Sequence, residues 1–209
     1  MRRAAQGWSS AEKVSTQCWA SVPAIAIDKN DDVRVVYNNA PLPTPNHGTR
    51  YRKRTASSWE SEVVIEANDA NYCKPYPSIA VDSNNYVHIV WQWKNPNKDE
   101  WAIKYVKVTD SWQPTEILEG PTSYPQRNPT ILLDSDGNLH VVWQGKHSGS
   151  PDYYQIRYRK HTDSWSPVQN LTSASLDQEN PNLIWAWWPT VDNLRTNRPK
   201  NGYAFVWND

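Results

Sequence analysis

Short runs in which apolar and polar residues alternate recur along this chain, each cut off by a turn of Asn, Asp, Ser or Gly. Residues 77–91 read PSIAVD, SNN, YVHIVW; residues 129–143 read PTILLD, SDG, NLHVVW; residues 23–37 read PAIAID, KND, DVRVVY. Period-two alternation in β-branched runs joined by Asx-rich connections predicts β-hairpins. A polar loop then leads to a third run, AIKYVKV (102–108) or QIRYRKH (155–161). A turn ending in tryptophan follows, and a fourth run such as TEIL or PVQNL precedes the next proline. No run has the length of a helix, and Pro or Asx-Gly signals bound each one.

The whole phrase has a period. Trp8, Trp59, Trp112 and Trp165 stand 51, 53 and 53 residues apart, and Pro23, Pro77, Pro129 and a weaker copy at Pro181 are spaced by 54, 52 and 52. A fixed period near 50 residues with four short strands per unit predicts an all-β fold, a β-propeller of about four four-stranded antiparallel blades. Approximate blade bounds are 17–68, 69–120, 121–173, and 174–209 together with 1–16, in one domain. The repeated Trp8, Trp59, Trp112 and Trp165, with Asp28, Asp82 and Asp134 closing the first run of each unit, read as structural positions.

The fourth unit departs from the pattern. PNLIWAWW (181–188) gives a first strand with no closing Asp, about twelve extra residues follow, and NGYAFVWND gives a second. The blade lacks its outer half, while the N-terminus opens on an outer strand, so Trp8 and the residues after it are expected to close that blade. Three arrangements stay open: a small ring closed on itself, self-association of two copies into a larger ring, and a piece of a longer propeller.

Composition narrows the function classes. The 22 basic and 22 acidic residues balance, whereas nucleic-acid binding calls for a clustered basic excess. No apolar run reaches the length of a membrane span. MRRAAQGWSS carries two arginines with no apolar stretch behind them, so it does not read as a secretory signal. Thirteen Trp and eleven Tyr against one Phe favour half-buried surfaces and sugar-binding sites. Cys18 and Cys73 occupy nearly the same repeat position, as two thiols in equivalent loops or as a bridge between neighbouring blades, and their spacing matches no metal pattern.

The turns VKVTDSW and RKHTDSW resemble a shortened Asp-box, the Ser/Thr-x-Asp-x-Gly-x-x-Trp hairpin of sialidase-like (BNR-repeat) propellers. SIAVDSNNYVHIVWQ and TILLDSDGNLHVVWQ resemble the inner strand pair of that superfamily. The likeness covers most of the chain, although the boxes lack their glycines and keep the Asp only at Asp110 and Asp163. It implies a propeller fold and an extracellular or cell-surface setting. It does not imply sialidase activity, because the family's early Arg-Ile-Pro segment is missing and no motif gathers three arginines.

Candidate ligand-binding residues come from two patterns. His88 and His140 sit at matched second-strand positions with Arg34, and Tyr37, Trp91, Trp143 and Trp207 follow three residues later, as channel-lining or inter-blade groups. Symmetry breakers are the sharper candidates: Trp185, Trp187, Trp188, Arg195 and Arg198 with Asp192, joined by Trp93 and Trp101. Aromatic faces and guanidinium forks suit an acidic sugar. Asp134-Ser135-Asp136-Gly137-Asn138 opens like a calcium loop without its distal Glu, and turn chemistry explains it. Asn170-Leu171-Thr172 is a glycosylation sequon. The reading is a non-catalytic, lectin-like propeller with a glycan ligand and no cofactor or metal. The alternatives are an interaction scaffold or self-assembling subunit, and a glycoside hydrolase or polysaccharide lyase of the same fold.

Overall fold

The computed structural model describes residues 10–16, 20–39, 48–67, 75–186 and 202–208, with 184–186 and 202–208 known by their backbone. Fourteen strands and no helix occur among them. Ala20–Ile27 (β1), Val33–Asn39 (β2), Gly48–Arg54 (β3) and Val63–Ala67 (β4) form the first sheet in chain order. Ser78–Val81 (β5), Val87–Lys94 (β6), Trp101–Val108 (β7) and Glu116–Thr122 (β8) form the second. Gln126–Leu133 (β9), Leu139–His147 (β10), Ser150–His161 (β11) and Gln169–Asn170 (β12) form the third. Glu179–Ala186 (β13) and Gly202–Asn208 (β14) make a two-stranded fourth sheet, and every pairing is antiparallel.

The first hairpin of each full unit is built by one aspartate. Asp28, Asp82 and Asp134 each accept two backbone N–H groups through Oδ1, from the residues two and four further on, at 2.8–3.1 Å. The turn then needs a left-handed residue, supplied by Asp31 (φ 60°), Asn85 (φ 65°) and Gly137 (φ 83°). These short polar residues and glycine are the types that tolerate that conformation. The DSDGN segment is therefore a turn organised by the Asp134 carboxylate.

The other carboxylate oxygen ties the turn to the sheet. Asp134 Oδ2 accepts from His140 Nε2 at 2.9 Å, so the proton lies on Nε2, and His140 Nδ1 accepts from the Tyr158 hydroxyl at 2.8 Å. Asp82, His88 and Tyr105 repeat this at 3.4 and 2.8 Å. Asp28 and Tyr51 do the same around Arg34, whose Nε, Nη2 and Nη1 donate at 3.1, 2.5 and 2.8 Å. Burial pushes the His88 imidazole down to about 4, with Asp82 opposing the shift, and it pushes His140 down as well. At Asp134 burial acts to raise the carboxyl, but hydrogen bonds from His140, Asn138 and backbone N–H groups prevail and hold it at about 2.

Successive sheets stack through a repeated apolar face. Val36 and Tyr51 of the first sheet pack with Ile79, Ile89 and Trp91 of the second. Val90 and Tyr105 of the second pack with Ile131, Val141 and Trp143 of the third, and Val142 and Tyr158 of the third pack with Leu183. Each fully buried side chain of this kind stabilises by roughly 1.5–3 kcal/mol. Polar locks cross the same seams. Glu66 accepts from Lys104 Nζ at 2.6 Å and Trp91 Nε1 at 3.1 Å, and Glu119 pairs with Arg157 at 3.4 Å. Trp112 and Trp165 each meet the tyrosine of the preceding sheet edge-on, Tyr51 at 5.4 Å and Tyr105 at 5.1 Å.

Two expectations shift in detail. The fourth run of the third unit pairs over two residues alone, Gln169 and Asn170. Residues 10–15 lie along the first sheet without forming a strand. Side chains hold this segment: Arg52 Nη1 donates to the Val14 carbonyl at 2.5 Å, and Glu12 accepts from Arg54 at 2.8 Å and Trp59 Nε1 at 2.9 Å. Trp8, Cys18 and Cys73 lie outside the described residues.

Candidate functional site

The four inner strands converge where each begins. The residue before the repeated proline has a positive φ in every unit: Val22 (46°), Tyr76 (41°), Asn128 (50°) and Asn180 (51°). Such values are uncommon for non-glycine residues, and a β-branched side chain is least suited to them. In the first, third and fourth units the pairing register slips at this point, which marks a β-bulge. Bulges turn side chains out of the pleat. Here Val22, Tyr76, Asn128 and Asn180 line one recess of about 420 Å³ together with Ser78, Asn182 and the four prolines.

A ladder of amides fixes the far side of this recess. The Asn128 N–H donates to Gln92 Oε1 at 2.8 Å, and the Asn180 N–H donates to Gln144 Oε1 at 2.8 Å. Asn128 Nδ2 donates to Gln144 Oε1 at 2.9 Å and Asn180 Oδ1 at 3.2 Å. Asn38 stands at the matching position in the first sheet, one methylene shorter, and donates instead to Ser21 Oγ at 3.2 Å. The second and third units thus carry the extended ladder and the first does not.

Next to Asn128 begins a row of alternating cations and rings. Lys94 Nζ lies 4.9 Å from the Trp101 ring, Arg127 lies 4.9 Å from Trp101 and 5.6 Å from Tyr154, and Lys146 Nζ lies 4.9 Å from Tyr154. Cation–π contacts are worth roughly 0.5–2 kcal/mol each, more when dry. Lys94 also pairs with Asp99 at 3.0 Å and holds that carboxyl below its ordinary range, while Lys146 donates to the Asp152 carbonyl at 2.7 Å. Burial pushes the Tyr154 hydroxyl up, with Arg127 opposing.

The sequence-derived candidates divide. Trp101 is buried inside this row, and Trp93 is half-buried under Lys104 Nζ at 4.2 Å. Trp101 has a counterpart after all: Tyr154 stands at its place on β11, beside Lys146 as Trp101 is beside Lys94. His88 and His140 are buried, and both nitrogens of each are engaged in the Asp–His–Tyr ties. Tyr37, Trp91 and Trp143 are buried too, with Tyr37 donating to Glu62 and Trp143 to Gln126 Oε1 at 2.8 Å. The Trp185 side chain and Trp187, Trp188, Asp192, Arg195, Arg198 and the Trp207 side chain lie outside the described residues.

Tyr76, Asn128, Asn180 and Arg127 escaped sequence reasoning. For the first three the signal was the residue ahead of each repeated proline, a place where an extended conformation is the ordinary expectation. A second recess, about 400 Å³, lies on the flank of the third sheet between His147, Tyr153 and residues 170–175. Asn170 of the sequon borders it and is exposed.

No protein-family model matches the chain, and no curated protein matches it in sequence. Solved structures do match in fold. A protein of unknown function from Dyadobacter fermentans is 10% identical over 79% of this chain and 53% of its own, with a TM-score of 0.58. An N-acetylgalactosamine deacetylase from F. plautii, solved with blood group B trisaccharide, is 10% identical over 79% of this chain and 58% of its own, with a TM-score of 0.55. A Hadza microbial sialidase is 11% identical over 77% of this chain and 39% of its own, with a TM-score of 0.55. The chain thus spans about half the length of these proteins or less. The likeness is one of fold.

Proposed function

We propose that this chain is a carbohydrate-binding unit whose four-stranded sheets are blades of a propeller, and that sugar binds in the recess at the start of the inner strands. The observation that carries the reading is the lining of that recess: one tyrosine ring, three asparagines and a serine on a rigid frame of prolines. Sugars present apolar ring faces and hydroxyl edges, which an aromatic face and amide groups match. Two of the similar folds belong to proteins named for carbohydrate chemistry, a deacetylase and a sialidase.

Binding is favoured over hydrolysis because the described lining holds no carboxylate. Glycoside hydrolysis in its common forms uses two, roughly 5–9.5 Å apart. The neighbouring row of Lys94, Arg127 and Lys146 favours sugars that carry an acidic group.

A glycan array followed by calorimetry tests the reading. Tyr76→Ala is expected to weaken binding about tenfold or more, since loss of ring stacking costs on the order of 1–3 kcal/mol. Failure of the wild-type chain to hold any neutral or acidic glycan at millimolar concentration would sink it.

A further inference from the structure

The repeat makes one bare surface conspicuous. Ile25, Ile79 and Ile131 occupy the same position, two residues after the repeated proline, yet Ile79 is 7% exposed, Ile131 5% and Ile25 65%. Ile27 is 63% exposed as well. Ile79 and Ile131 are covered by the preceding sheet, through Val36 with Tyr51 and Val90 with Tyr105. In this structure the fourth sheet packs on the third through Leu183 and leaves Ile25 and Ile27 bare.

The outer part of that same face is occupied. Arg52 grips the Val14 carbonyl as Arg159 grips the Leu118 carbonyl of β8, at 2.5 and 2.7 Å. Val14 and Leu118 both stand six residues after their turn tryptophans, Trp8 and Trp112. Residues 10–16 therefore take the place of an outer strand of a preceding sheet, and among the described residues no inner strands stand beside them there. The fourth sheet is the complement, inner strands with no outer pair among the described residues. Its Val206 pairs with Asn182 as Val36 pairs with Ala24, Val90 with Ser78 and Val142 with Thr130. That is the register position of the covering valine.

We propose that the face of β1 bearing Ile25 and Ile27 docks the β13–β14 sheet of a second copy of this chain, with residues 10–16 beside it as the outer element. Made reciprocally, the contact closes a two-copy ring, and each junction continues the seam that already joins the first three sheets. The chemistry required of the partner is an apolar two-stranded sheet, which this chain itself carries in β13 and β14. The inference stands apart from the ligand.

Light scattering on the 209-residue chain at about 100 µM reads the outcome. The expected mass is twice the 24.1 kDa of one chain, and Ile25→Glu with Ile27→Glu is expected to return it to one chain mass. Both positions face solvent in the single chain, so circular dichroism and the urea midpoint of the double variant should match those of the wild type under dilute, dissociated conditions. A wild-type chain that stays at one chain mass overturns the proposal. So does a dimer that persists in the double variant, because its interface lies elsewhere.

Discussion

The two ends of these sheets are built on opposite terms. At the end carrying the Asp hairpins and tryptophan turns, one set of contacts recurs in all three full units: an Asp turn, a bridging His or Arg, a tyrosine hydroxyl and a turn tryptophan. At the end where the inner strands begin, the backbone repeats but the side chains do not. The positive-φ position holds Val22, Tyr76, Asn128 and Asn180 in turn. The position before it holds Ser21, Pro75, Arg127 and Glu179. A group needed for stability in every unit is kept in every unit, whereas a single ligand sees each unit from a different side and requires no symmetry. The contrast sets a repeated scaffold apart from the recess proposed above to bind sugar.

Substitutions at the two ends should therefore differ in kind. The largest loss is expected from Trp143→Ala, which empties a fully buried site and strands the Gln126 Oε1 acceptor. About 3–5 kcal/mol should go, read as a fall in the urea midpoint; a loss under 1 kcal/mol would break the distinction. Acid comes next. The His88 imidazole sits at about 4 in the folded chain and about 6.5 in the unfolded one. Between those values the unfolded state binds more protons, so stability falls as pH drops from 6.5 to 4, by on the order of 3 kcal/mol. Asp134, held at about 2, extends the decline below about pH 3.8. Urea midpoints at pH 7 and 4.5 check the window, and His88→Gln should reduce the loss to the part that His140 contributes.

Arg34→His transplants the tie of the later units into the first. It should cost under about 1 kcal/mol at pH 7 and steepen the acid loss, since Asp28 and Tyr51 are already in place to receive an imidazole. The smallest effect belongs to the variable end. Val22→Asn should leave stability unchanged or raise it by up to about 1 kcal/mol, because asparagine tolerates the left-handed conformation better than valine. A clear loss there would mean that the valine is a scaffold residue, and the comparison would need redrawing.

What was legible in the residues follows the same division. IVW and VVW preceded by a proline phrase located the inner strand pairs, because alternation and turn chemistry are local, although β6, β9 and β10 run three or four residues past the phrases. The role of His88 and His140 was not legible as binding or structure until Tyr105 and Tyr158 were seen across the hairpin. The recess stayed hidden for a deeper reason. Tyr76, Asn128 and Asn180 are some fifty residues apart and no alternation links them, so only the stacking of sheets brings them together. Trp101 looked unmatched because the loops before β7 and β11 differ in length, which hid its equivalence with Tyr154.

The arginine locks between the second and third sheets are split across the seam in one direction. The acceptor lies on an outer strand, as the Leu118 carbonyl and the Glu119 carboxylate do, and the donor on the third strand of the next unit, as Arg159 and Arg157 do. A unit of this kind carries a donor for its predecessor and an acceptor for its successor. Tandem duplication of some fifty codons would thus insert a unit already fitted to both neighbours, and arrays of this sequence can lengthen or shorten by whole units while their joints stay intact.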